Sequence, residues 1–262
     1  MERGVLERWG QLARANLFET YIELAAAAKG TVVERNRPFT WVKGDSAVSF
    51  CNFCALFDAE ESEVEAIAAE LLAYGEKNSS FWVFATDFCR PANLKSALSL
   101  AGFQTRQTLK LMIWQGGSKA GHDPAIEAAA TIERLSVTKF MTDIFFSRSS
   151  ASAKATVMES TTFSPHRVFA WNDRSGIVAA VMTSSTDGVL GLYNLCVRSD
   201  RRSRGLGRNA VDFVKSMAAG ENKALVLQCN ANLEDWYLEQ GFETIGLVDA
   251  YSAPCRDWGP LT

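Results

Sequence analysis

Hydrophobic and polar positions along this chain switch between a strand period and a helix period, and they do so in the same order twice. In the first half, residues 81–87 (FWVFATD) read as a buried strand; a helix-like stretch runs to Leu100, then Gly102, Phe103 and the extended run TLKLMIW follow. In the second half, residues 224–230 (ALVLQCN) read as a strand and residues 231–240 as a helix, followed by Gly241, Phe242 and a further strand. A glycine just past a helix suits a left-handed C′ position, and the phenylalanine after it can pack back on the sheet. The repetition predicts two copies of one architecture. The fold class expected is α/β: two tandem domains, each a mixed, mostly antiparallel sheet flanked by helices. An additional first helix, with Leu6, Trp9, Leu12, Ala13 and Leu17 at helical spacing, reads as core packing.

The best linker is the stretch 116–124 (GGSKAGHDP), small, polar and without periodicity. It divides the chain into a first domain over 1–117, a linker over 118–125 and a second domain over 126–262. The copies differ at one junction. In the first, the strand SFCNFCALF leads into a helix predicted to begin at Asp58, with Glu61 completing a capping box and Val64, Ile67, Leu71 and Tyr74 as its apolar stripe. In the second, residues 189–197 (VLGLYNLCV) lead through RSDRRSRGLGR into a helix with Leu206, Ala210, Val214, Met217 and Ala218 on one face. The first junction is acidic. The second is rich in arginine and glycine.

Composition narrows the setting rather than the chemistry. The 262 residues are 47% hydrophobic and 22% charged, with a net charge of −3, which gives no whole-chain basic field for nucleic acid. No apolar run approaches the roughly 20 residues of a membrane span, and the N-terminal residues mix acids and bases without an apolar stretch. A cytoplasmic location, no membrane and no nucleic-acid partner are the expectations, with the chain a monomer or homodimer. Six cysteines and two histidines, His122 and His166, offer little for a metal. Cys51 and Cys54 form the only CxxC, and residues three apart on a strand point to opposite faces, so no metal is expected.

The second junction can do chemistry. Gly205 and Gly207 let the backbone turn sharply at a helix start, where several amides lack intrahelical partners and the macrodipole is positive. Arg198, Arg201, Arg202, Arg204 and Arg208 add positive charge, offset only by Asp200. A pyrophosphate is the natural guest. Gly205, Gly207 and Ala210 also match the dinucleotide fingerprint. The seven residues between Val197 and Gly205 are too many for that turn, however, and Gln228, Cys229 and Asn230 stand where its acid belongs.

Val197, Arg202, Gly205 and Gly207 together resemble the acetyl-CoA loop V-x-P-x-x-R-x-x-G-x-G of the GCN5-related N-acetyltransferase (GNAT) superfamily, with Ser199 at the proline position. Asn230, Tyr237, Gly241 and Phe242 are similar to the family's ending N-x-x-A-x-x-L-Y-x-x-x-G-F, with Leu233 and Trp236 at its alanine and leucine. The match covers the chain from about residue 127. The first half is similar, more loosely and through Phe50 to Asn52 and Pro91 to Phe103, to the degenerate N-terminal domain of tandem members.

The resemblance implies an acetyl-CoA-dependent N-acetyltransferase acting on a small-molecule or peptide amine, with acetyl-CoA as co-substrate. Arg202, Ser203, Arg204, Gly205, Leu206, Gly207 and Arg208 would hold the CoA pyrophosphate. Backbone groups of Leu195, Cys196 and Val197 would hold the pantetheine and thioester, and Asn230 would bond the pantetheine or cap the following helix. Tyr237 would give a proton to the leaving thiolate. No general base is legible: Tyr193 and Asn194 lie near the loop, and His166, Glu159 and Asp187 have no support. Cys196 has the opposite strand parity to Leu195 and Val197, against a covalent acyl-cysteine route. The first domain lacks the loop and is read as structural or as one wall of the substrate cleft. A CoA-binding regulatory protein without turnover is the alternative.

Overall fold

Runs of β-branched and aromatic residues make strands here, and the amphipathic stretches between them make helices that cover both faces of one sheet. In the computed structural model, residues 2–35, 37–44, 48–116 and 124–254 are described. The first half comprises α1 (Arg3–Ala26), β1 (Val32–Glu34), β2 (Thr40–Lys43), β3 (Phe53–Ala55), α2 (Val64–Gly75), β4 (Trp82–Thr86), α3 (Leu94–Ala101) and β5 (Gln104–Trp114). The second comprises β6 (Ile126–Glu127), α4 (Thr131–Phe145), α5 (Ala151–Phe163), β7 (Arg167–Asp173), β8 (Gly176–Thr186), β9 (Val189–Val197), α6 (Leu206–Gly220), β10 (Ala224–Cys229), α7 (Glu234–Glu239) and β11 (Glu243–Ser252).

The fold class is the one expected, a mixed sheet flanked by helices. The two sheets are continuous with one another, in the order β1-β2-β3-β4-β11-β5-β10-β9-β8-β7-β6. The last strand of each half crosses into the other. β5 lies between β11 and β10, and β11 lies between β4 and β5, antiparallel to each neighbour. Each half thus closes on a strand from its counterpart. The parallel pairs β3–β4 and β9–β10 occupy equivalent places in the two halves.

Helix α1 lies over the sheet and buries Ala13, Leu17, Phe18 and Ile22 against Phe53 and Trp82 from the first half and Met182, Tyr193 and Val226 from the second. On the opposite face, α2 and α3 pack over the first half and α6 and α7 over the second, each around its own cluster. Both glycines foreseen past the helices are left-handed, Gly102 at φ 111° and Gly241 at φ 79°, and Phe103 and Phe242 are buried as expected.

Three local expectations need correction. The capping box of α2 forms at Glu60 and Glu63, the Glu60 amide donating to Glu63 Oε2 at 3.0 Å, with a 3₁₀ turn over Glu61–Glu63 before the helix. Asp58 instead bridges to Arg90, its amide donating to the Pro38 carbonyl at 2.7 Å, so the chain is still extended there. The strand foreseen over 49–57 is only Phe53–Ala55, and Cys51 ends a 3₁₀ turn. Cys51 and Cys54 nonetheless lie in different buried clusters. The predicted linker falls largely on residues 117–123, outside the described residues.

Candidate functional site

Strand β9 starts as the parallel partner of β10, with Val189 opposite Ala224, Leu190 opposite Leu225 and Gly191 opposite Val226. Pairing ends there, while β10 continues along β5 as far as Cys229. A gap therefore opens between β9 and β10. Within β9, Tyr193 pairs with Met182 and Cys196 with Ala180, so Asn194 and Leu195 together face Val181. This is a β-bulge, and Asn194 has φ 52°. One extra residue reverses which face each side chain takes. Before it, Leu190 and Leu192 pack under α6 and Tyr193 faces α1; after it, Leu195 and Val197 pack under α6 and Cys196 faces the other way.

After Val197 the chain makes a short 3₁₀ turn and enters α6 through Gly205, whose φ of 81° is left-handed. A Cβ at Gly205 would meet open space, so the requirement there is conformational. Gly207 has no such φ, and a Cβ on it would come 3.5 Å from the Trp236 ring, towards the cavity. Among the described residues, the amides from Ser203 to Arg208 donate to no acceptor of the chain; the first amide to do so is that of Asn209, to the Gly205 carbonyl at 2.9 Å.

These amides border a cavity of about 560 Å³. Of the residues singled out in the sequence, Leu195, Cys196, Val197, Arg202, Ser203, Gly205, Leu206, Gly207, Arg208 and Tyr237 line it. Arg204 does not; it lines a neighbouring depression with Trp171 and Asp173. Asn230 lies outside the cavity too, without a capping bond, its Oδ1 accepting from Gln107 Nε2 at 3.1 Å. Ile144 and Phe145 at the end of α4, with Leu233 and Trp236, complete the lining. Sequence reasoning missed these four as site residues. Phe145 and Leu233 are exposed apolar side chains, at 49% and 44%, and nothing in the sequence marks them as such.

The arginines divide by partner. Arg198 Nε meets Asp200 at 2.6 Å, and Arg201 meets Asp173 and Asp200, each at 2.9 Å. Their charge is largely spent inside the protein. The Ser175 hydroxyl and the Arg201 guanidinium hold the Asp173 carboxyl well below its usual range. Arg202 donates to the Val197 carbonyl at 3.3 Å, and Arg208 has no carboxylate partner among the described residues. Arg202 and Arg208 are thus the cations of the cavity that remain available to an anion.

Tyr237, 7% exposed, is held edge-on by Trp236 at 4.8 Å and Phe242 at 5.5 Å. Its hydroxyl makes no hydrogen bond among the described residues. Burial raises its pKa, so the phenol keeps its proton. Burial likewise pushes the Cys196 thiol up to about 12 and the Cys229 thiol to about 11. Neither is a ready nucleophile.

The base candidates are placed elsewhere. Tyr193 Oη donates to Asn16 Oδ1 at 2.7 Å beneath α1. His166 is buried with Nε2 3.3 Å from the Thr20 carbonyl, and burial lowers its pKa to about 4. Asn194, Glu159 and Asp187 do not line this cavity.

A gap between parallel strands, a bulge beside it and a helix start with unpaired amides form one arrangement, and the stretch that holds them matches a known family. Residues 136–242 match the family model described as the Acetyltransferase (GNAT) family. The chain carries a GNAT-family domain. That stretch includes most of α4, the bulge, the α6 start and α7. Among solved structures, a GCN5-related N-acetyltransferase from Kribbella flavida superposes with a TM-score of 0.66 at 16% identity, over 95% of this chain and 97% of that one. A GNAT-family acetyltransferase from Colwellia psychrerythraea gives 0.54 at 14% identity, over 93% and 95%. A tandem GNAT protein from the clavulanic acid biosynthesis pathway gives 0.58 at 10% identity, over 86% and 84%. At such identities the likeness is one of fold, and it extends to the first half as well as to the GNAT domain. Comparison with the curated proteins finds no match.

Proposed function

We propose that the protein transfers an acetyl group from acetyl-CoA directly to an amine, with Tyr237 as the general acid. The observation that carries this reading is the run of unpaired amides from Ser203 to Arg208, whose residues, Arg204 apart, line the same cavity as Tyr237. The site fits the pyrophosphate of CoA: left-handed Gly205 leaves the approach open, the amides lack acceptors, and Arg202 and Arg208 supply charge. Leu195 and Val197 offer their backbone to the pantetheine and thioester, because β9 pairs with β10 no further than Gly191. Bound acetyl-CoA supplies an activated thioester carbonyl to a nucleophilic amine. Tyr237 holds its proton on Oη in the same cavity and gives it to the leaving sulfur. Asn230 is left with a structural role on Gln107.

One observation favours a second reading, a CoA-binding regulatory protein: no carboxylate or imidazole lines the cavity among the described residues. Single-turnover transfer of label from [¹⁴C]acetyl-CoA to a panel of amines separates the two. A transferase labels at least one acceptor; a pure binder retains CoA and labels none.

A further inference from the structure

A second cavity, of about 210 Å³, lies on the α1 face of the sheet. Neighbouring residues line the two cavities: Asn194 lines this one and Leu195 the first, and Phe146 lines this one and Phe145 the first. Asn194 and Leu195 are the two residues of the β9 bulge. Gln228, on the stretch of β10 past its last pairing with β9, donates to Tyr21 Oη at 3.4 Å on this second side. Leu227 and Cys229 pack on the Tyr237 side.

We propose that this second cavity is the acceptor site and that it takes a small arylamine, its ring among aromatic side chains of the first half and its nitrogen at the β9–β10 gap. The proposal rests on the transferase reading and names the acceptor that reading leaves open. Three observations carry it. The wall is aromatic: Tyr21, Phe50, Trp82 and Phe84 come from the first half and Phe146 from the residue just past α4. Trp82 and Phe84 stack at 6.2 Å and 18°, and Tyr21 meets Phe84 edge-on at 5.7 Å, so the rings brace one another and the cavity is preformed. Among the described residues the lining holds no charge. Its polar members are Tyr21, Gln107, Thr161 and Asn194, with no cation for an amino-acid carboxylate and no carboxylate for a polyamine. The volume is below the roughly 300–1,000 Å³ usual for drug-sized ligands, which suits a single ring.

The decisive step concerns the proton. An alkylamine has a pKa near ~10.4, as lysine has, so only about one molecule in 10³ carries a free lone pair at pH 7. Neither cavity offers a carboxylate or imidazole to deprotonate the rest among the described residues. An arylamine needs no such group, because delocalisation of its lone pair into the ring leaves it neutral at pH 7. In the transfer a C–N bond forms and the C–S bond breaks. Tyr237 protonates the sulfur, and the proton lost by the nitrogen returns through water to the phenolate. The products are an N-acetylarylamine and CoA thiol, with no net proton change.

The test uses the full chain, [¹⁴C]acetyl-CoA and four probes at equal concentration: 4-methylaniline, 2-phenylethylamine, spermidine and glycine. At pH 7, 4-methylaniline is acetylated at least tenfold faster than the others, with a rate nearly flat from pH 6 to 9. Any turnover of 2-phenylethylamine rises about tenfold per pH unit over that range. Transfer to the other amines with 4-methylaniline silent overturns the arylamine assignment and leaves the transferase standing. Silence with all four and with peptide amines, while calorimetry shows acetyl-CoA bound, overturns the transferase reading itself. Leu109→Trp, which fills the cavity, raises KM for 4-methylaniline at least tenfold and leaves the Kd of acetyl-CoA unchanged; an unchanged KM refutes the placement. Phe50→Ala, on the opposite wall and only half-buried, reports the same shift should Leu109→Trp lower the melting temperature.

Discussion

The Tyr193 hydroxyl donates to Asn16 Oδ1 at 2.7 Å, joining β9 to the first helix of the chain. The Asn16 amide in turn donates to the Ser184 carbonyl at 3.1 Å and to Thr186 Oγ1 at 3.0 Å on β8. Asn16 is wholly buried, so each bond is made where water cannot replace it. Gly191, the last β9 residue paired with β10, leaves the space they occupy, since a Cβ there would collide with Asn16 Oδ1 and the Tyr193 ring. The first half thereby fixes β9 one residue before the bulge.

Tyr193→Phe therefore leaves Asn16 Oδ1 buried without a donor and costs about 1–3 kcal/mol. Asn16→Ala removes three bonds at once and costs more. Gly191→Ala is the most damaging of the three, because the obstructing atoms are themselves fixed by hydrogen bonds. Urea unfolding of the three variants checks this order, and a Gly191→Ala protein as stable as wild type refutes it.

Substitutions at Gly205 separate conformation from charge. A side chain there has room but must take φ 81°, a strain of roughly 1–2 kcal/mol. Gly205→Ala should lower the melting temperature by a few degrees and weaken acetyl-CoA modestly. Gly205→Glu carries the same strain and sets a carboxylate among the free amides, so it should melt alongside Gly205→Ala yet lose acetyl-CoA binding in calorimetry. Equal affinities in the two variants would show that no anion docks at this helix start.

Tyr237→Phe tests the acid. Its hydroxyl makes no hydrogen bond among the described residues, so the variant should melt within a degree of wild type and bind acetyl-CoA equally well. Its kcat should fall by roughly 10²-fold, the lower range for general acid catalysis. A kcat within twofold of wild type would assign the proton to water.

The pattern of strand, helix and left-handed glycine was legible in both halves because it is local: Gly102, Phe103, Gly241 and Phe242 sit where spacing put them. So was the glycine-opened start of α6, since Gly205 and the arginines are neighbours in sequence. The bulge at Asn194 was not legible, because it depends on β8 and on the packing of Tyr193 against α1. Nor was the exchange of β5 and β11, which joins residues far apart in the chain. Local spacing also could not separate Arg201, spent on Asp173, from Arg208, free in the cavity.

His166 makes stability fall with acid. Burial, with Arg134 adding like charge, lowers its folded pKa to about 4 from 6.5, against the partial support of the Thr20 carbonyl; Glu23 lies 3.7 Å away. The unfolded chain binds the proton from pH 6.5 downward and the folded protein only near 4, so U holds more protons in this window and stability drops as pH falls through it. The loss reaches on the order of 2–3 kcal/mol at pH 4. Urea midpoints at pH 7, 5.5 and 4.5 should show this decline in the wild type and a flatter one in His166→Gln. Parallel declines would place the titration on another group.

The strand exchange makes the two halves dependent on each other. Residues 126–262 alone would leave the β10 edge without β5, strip β11 of both its partners, β4 and β5, and expose the apolar surface that α1 covers, including Met182 and Val226. An open β edge beside uncovered apolar surface invites association. We predict that this fragment, expressed alone, runs as oligomer or aggregate in size-exclusion chromatography, and that co-expression with residues 1–117 restores a soluble 1:1 complex. A monomeric fragment with a cooperative thermal transition would mean that the crossed strands add to the GNAT domain without completing it. The complex, by contrast, would show that the second half needs β5 and α1 supplied from the first, with or without a covalent link between them.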